Sequence, residues 1–149
     1  MSTRASLRAV VLMLAGPNTQ LQSPDPGAML RSARSLRCAF PSGGAEVLTD
    51  AKPRYKPAHG TDGVFDDIDR DKGMARVIGR AGAGNVQVVA SRETLTFIEA
   101  SPLGYPQITV VFGIFRPHTT ELLASDSRHA IVEGRVLVEQ YYGSCHVLQ

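Results

Sequence analysis

Residues 94–130 read TLTFIEASPLGYPQITVVFGIFRPHTTELLASDSRHA, and the fold is decided here. Three runs stand out: Thr94 to Ala100, with its β-branched and aromatic content, Ile108 to Phe115, and Glu121 to Ala130. Pro102, Gly104 and Pro106 separate the first two, and Pro117 to Thr120 separate the last two. Short runs of this kind, bounded by turn residues, predict the strands of an antiparallel sheet. Ile108 to Phe115 is apolar on both faces, which suits a central strand.

The pattern continues on both sides. Leu36, Cys38 and Phe40 alternate with polar or small residues until Pro41-Ser42-Gly43-Gly44, where the run is expected to stop. Residues 45–63 hold Pro53, Pro57 and Gly60 and are given no element. Phe65 to Asp69 reads as a strand turned by Asp71-Lys72-Gly73 into Met74 to Gly79, a hairpin. Gly82-Ala83-Gly84-Asn85 is read as the next turn, leading into Val86 to Ala90, and Arg135 to Val147 is the last strand. Seven or eight short strands with no amphipathic helix between them predict an all-β chain, an antiparallel meander folded as a small barrel or a sandwich. Pairing of the first strand with the last would close the sheet and remove its edges. Cys38 lies in the first strand and Cys145 in the last. Closure would make them neighbours, either as a disulfide or as two buried thiols, depending on the redox compartment.

At 149 residues the chain has room for one ordinary core, assigned to 34–149. Residues 1–33 are read as a leader and linker. Arg4 and Arg8 precede the apolar run Ala9 to Ala15, which has the look of a short secretory signal, although no small-x-small cleavage site follows it. The run is far too short to span a bilayer, so no transmembrane segment is expected. A periplasmic or secreted location is favoured slightly over a cytoplasmic one.

Hydrophobic residues make up 43% of the chain and charged residues 20%, which is the balance of a folded protein. The net charge of +2 comes from the N-terminal arginines, since the remainder carries a small acidic excess. Without a basic stripe on the folded part, nucleic-acid binding is excluded. Asp67, Asp69 and Asp71 alternate in DIDRDKG like the opening of a calcium loop, but Lys72 and Ile78 stand where glycine and a bidentate carboxylate are needed. The glycines of Gly79 to Gly84 are out of order for a dinucleotide fingerprint, and no other catalytic signature occurs. No metal and no cofactor is expected.

Ser125-Asp126-Ser127-Arg128-His129 gathers the residue types of a hydrolytic triad. On a strand, however, Ser125, Ser127 and His129 share one face while Asp126 and Arg128 take the other, so Asp126 cannot orient His129. Arg128 is expected to pair a cross-strand acid. Glu99 falls in phase with Leu95 and Phe97 on an apolar face and, if buried, needs a partner such as Arg128 or His129. Tyr141 and Tyr142 point to opposite faces, one towards the core and one towards solvent.

The segments Leu36-Arg37-Cys38-Ala39-Phe40, Ala75 to Gly79, Leu95 to Glu99, Ser127-Arg128-His129 and Gln140 to Cys145 together resemble a group of small bacterial β-rich proteins of unknown function. The resemblance implies a bacterial β domain and no catalytic residues. Three functions follow as expectations. The first is a non-enzymatic structural or partner-binding protein. The second is a barrel binding a small apolar ligand, whose mark would be an internal cavity. The third is an enzyme using Glu99, Arg128, His129 and Tyr141 or Tyr142, whose mark would be their convergence on one cleft.

Overall fold

The computed structural model describes residues 23–49, 52–80, 82–101 and 103–148. The leader from Arg4 to Ala15 lies outside the described residues. Among the described residues nine strands follow one short helix: α1 (Pro26–Ser32), β1 (Leu36–Thr49), β2 (Lys52–Pro57), β3 (Gly63–Asp69), β4 (Met74–Gly79), β5 (Gly82–Ala90), β6 (Thr94–Ala100), β7 (Pro106–Phe115), β8 (Leu122–Val132) and β9 (Arg135–Val147). All neighbours pair antiparallel, β1 with β3 and then in chain order to β9. β9 returns to β1 along a long ladder from Leu36↔Val147 to Leu48↔Val136 and closes an eight-stranded barrel. β2 is the extra strand, folded back on Gly44 to Thr49 of β1.

Alternation sends Leu36, Cys38 and Phe40 of β1, Leu95 and Phe97 of β6, Leu122 and Ala124 of β8 and Cys145 of β9 inward, where all are buried. Phe65 stacks on Phe97, ring centroids 4.0 Å apart, across the barrel axis region. A bulge in β3 resets its phase. Asp67 takes a φ of 50°, and Phe65 and Ile68, three residues apart, both become core residues. Cys38 and Cys145 pair directly across the closing ladder, with Cα atoms 4.0 Å apart, and form a disulfide.

Pro41 to Gly44 do not end the first strand as expected. β1 runs through them on a bulge between Ala39 and Ser42. Gly143 makes this feasible, since a Cβ there would lie 1.8 Å from the Ala39 carbonyl oxygen. The unassigned stretch 45–63 holds the end of β1 and all of β2. Gly82 to Asn85 belong to β5, and the turn sits one step earlier, between Gly79 and Gly82.

A further correction concerns the linker, which contains α1. Asp25 caps the helix by accepting from the Gly27 N–H at 2.9 Å, and Pro26 occupies the first turn, where no donor is needed. Leu30, 2% exposed, enters the end of the barrel, and Gly27 meets Gly113 of β7 backbone to backbone. Arg70 donates to the Ala33 and Leu30 carbonyls at 2.8 and 2.6 Å, satisfying the orphan acceptors at the helix end. The helix therefore plugs one end of the barrel. The chemistry lies at the other end.

Candidate functional site

The strand directions place Leu36, Leu95, Val111 and Leu122 at the plugged end and Glu99, Gln107, Thr109, Asp126, Arg128 and Tyr141 towards the opposite mouth. The inward rows of β6, β7, β8 and β9 thus change from apolar to polar within one or two side chains. Asp126 is 1% exposed. Its Oδ1 accepts from Thr109 Oγ1 at 2.8 Å and from Gln107 Nε2 at 3.0 Å, both on the neighbouring strand β7. Its Oδ2 lies 3.2 Å from Arg128 Nε. The distance is that of an ion pair, but the alignment is not that of a hydrogen bond, and both atoms are left without one among the described residues.

Arg128 is held on two further sides and has an acidic register partner. Its Nη2 donates to Thr61 Oγ1, its guanidinium carbon stands 5.7 Å from the centre of the Tyr141 ring, and Glu139 is its register partner on β9. Thr61 reaches it because the chain after β2 dips towards the axis. Ala58 donates to the Gly43 carbonyl at 3.0 Å and Gly60 to the Phe40 carbonyl at 2.9 Å. A Cβ on Gly60 would lie 2.7 Å from that of Phe40 and 3.0 Å from Tyr141 Cγ, so only glycine lets the segment settle there.

Above this pair opens a cavity of about 460 Å³. Its apolar wall includes Phe40, Phe65 and Val77, and its polar wall Glu99, Gln107, Thr109 and Arg128. Beside Glu99 the barrel wall parts. The ladder between β5 and β6 runs from Ala90↔Leu95 only as far as Gln87↔Ile98, while β5 continues towards the mouth for five residues, Gly82 to Val86. Glu99 and Ala100 consequently face both the mouth cavity and an outer groove of about 640 Å³ between these strands. Burial pushes the Glu99 carboxyl above its ordinary range; Arg128 opposes the shift and Asp126 adds to it. Burial likewise raises the Tyr141 phenol, assisted by the Glu139 carboxylate.

Of the residues singled out in the sequence, Glu99 and Arg128 share the cavity and Tyr141 supports Arg128 from below. His129 and Tyr142 are on the outer face; Tyr142 is 57% exposed. The five do not converge on one cleft. Arg128 pairs with Asp126 on its own strand, although a cross-strand acid was expected. Thr109, Gln107 and Thr61 are not singled out in the sequence, and Asp126 is placed there on the face of Arg128 without a site role, yet three of these four carry a legible signal. Gln107 and Thr109 continue the inward phase of Val111, and Asp126 continues that of Leu122 and Ala124.

Asp67 and Asp69 of DIDRDKG, and their neighbour Asp66, are engaged by basic side chains. Asp69 accepts from the Lys72 N–H and pairs its Nζ, each at 2.9 Å. Arg76 forks onto Asp66 at 2.9 and 2.7 Å and approaches Asp67 to 3.8 Å. Among the described residues no cluster of His, Cys, Asp or Glu is placed to hold a metal ion, and no helix is long and apolar enough to cross a membrane. No family model, curated protein or solved structure matches the chain.

Proposed function

We propose that this barrel is a binding protein for a small molecule with an apolar body and a polar head, held in its mouth. One observation carries the reading: the packed interior gives way to a cavity of about 460 Å³ whose floor is a buried, preorganised polar network. Small-ligand sites are typically apolar hollows with a few fixed polar groups, and eight-stranded barrels are wide enough to hold one small ligand. A buried ion pair is weak support for stability, so its presence at a cavity floor fits a role in recognition better than one in folding. The purely structural role favoured from the sequence leaves this network unused. An enzyme built from the five sequence candidates loses support because His129 and Tyr142 face away from Glu99 and Arg128.

Calorimetric titration with octanol tests the reading. Saturable binding to one site, lost in Val77→Phe, whose larger ring fills the cavity wall, is the expected result. Binding unchanged by Val77→Phe would remove the mouth as the site. Export of the chain accords with the Cys38–Cys145 disulfide, a bond that persists in oxidising compartments. Mass spectrometry of the protein from its native host should then show a shortened N-terminus and two fewer hydrogens than the reduced chain.

A further inference from the structure

We infer that the polar head of the ligand is a cation of the alkylammonium type and that Glu99 is its counter-ion, an inference that rests on the mouth being a ligand site. The argument starts from the charges around the cavity. Arg128, the cation at its floor, is already neutralised by the fully buried Asp126, bound to Thr61 and packed on Tyr141. An incoming carboxylate or phosphate would have to compete with Asp126 for that guanidinium while facing Glu99 and Asp62 on the cavity wall. Glu139, register partner of Arg128, adds another negative charge beneath. Arg80 is the other cation of the lining, and it is exposed on the turn between β4 and β5.

Glu99 has the opposite circumstances. It is half-buried on the wall, and its carboxylate receives no hydrogen bond among the described residues. The charges acting on it are Arg128, committed elsewhere, and Asp126, which repels. Lys72, which lines the outer groove with Glu99, is held by Asp69 at 2.9 Å. A half-buried carboxylate without a dedicated cation has lost part of its hydration uncompensated, and an ammonium group is the ligand chemistry that relieves it through charge-assisted hydrogen bonds. The parted wall between β5 and β6 supplies the opening beside Glu99, and the apolar side chains Phe40, Phe65 and Val77 receive the hydrocarbon.

Three probes that differ only in the head separate the cases: octylamine, octanol and octanoate, titrated calorimetrically at pH 7 into the oxidised, full-length protein. Octylamine should bind about tenfold or more tighter than octanol, and octanoate weaker than both. Glu99→Gln, nearly isosteric, should bring octylamine to within about twofold of octanol in the same variant. Octanoate binding tightest, or an octylamine preference that survives Glu99→Gln, would overturn the inference and leave the binding reading standing. Failure of all three probes would remove the binding reading itself.

Discussion

Asp126 and Glu99 are two carboxylates in one barrel with opposite surroundings, and their substitution should separate support from recognition. Asp126 has Thr109, Gln107 and Arg128 as partners, so Asp126→Ala leaves a partly buried guanidinium and two donors without their carboxylate. Removal of one member of a fully buried pair typically destabilises by about 3 to 5 kcal/mol; with Arg128 partly in solvent, a urea denaturation curve should show a loss at or below the lower end of that range. Glu99→Gln should act in the other direction. Its carboxyl is raised in the fold, so the folded state holds the proton more tightly than the unfolded chain. The associated stability is full below the ordinary carboxylate value of 4.5 and fades as pH rises through the higher folded value. Thermal melts should therefore find Glu99→Gln more stable than the native protein at pH 7 and the difference gone near pH 4. A difference that grows in acid would mean that Glu99 is stabilised as a carboxylate.

At the scale of elements, α1 plugs the barrel and the seam between β1 and β9 closes it. Leu30 fills the plugged end, and Leu30→Ala should destabilise by about 2 to 5 kcal/mol according to how far the cavity collapses. If α1 were only a linker, the melting temperature would not move. Gly143 admits the β1 bulge at a distance no side chain can share. Gly143→Val should cost about 4 kcal/mol or more and be recovered as unfolded or aggregated protein in size-exclusion chromatography. α1 lies at the end of the barrel opposite the mouth cavity, so Leu30→Ala should leave head-group preference unchanged in the protein that remains folded.

For the whole molecule, the disulfide joins the first barrel strand to the last across 107 residues of chain. Chain-entropy reasoning assigns such a loop about 4 to 5 kcal/mol, most of it through restriction of the unfolded state. Cys38→Ala/Cys145→Ala should lower the denaturation midpoint accordingly while keeping the sheet, since the β1 to β9 ladder of hydrogen bonds remains. Loss of the far-ultraviolet strand signal in the double variant at low temperature would show that the bond creates the barrel rather than bracing it.

What the sequence determined by itself was local and periodic. Alternation in Leu36 to Phe40, Thr94 to Ala100 and Glu121 to Ala130 marks strands because side chains on a strand switch faces with every residue. The same rule separates Asp126 and Arg128 from His129, and Tyr141 from Tyr142. Hairpin signals between neighbouring strands predict a meander, and the cysteine positions in the first and last strands are consistent with a closed one. Tertiary structure decided the rest, because it depends on residues far apart in the chain. Pro41 to Gly44 look like a stop until Gly143, a hundred residues away, makes room for the bulge. α1 has too short a pattern to be read, and it exists because the barrel end needs Leu30 and Arg70 offers its carbonyls donors. Thr61 reaches Arg128, and Gln107 and Thr109 reach Asp126, only after closure has set strand order and register. A slip of one residue in any of these ladders would turn the polar cluster out to solvent and leave the mouth without a floor.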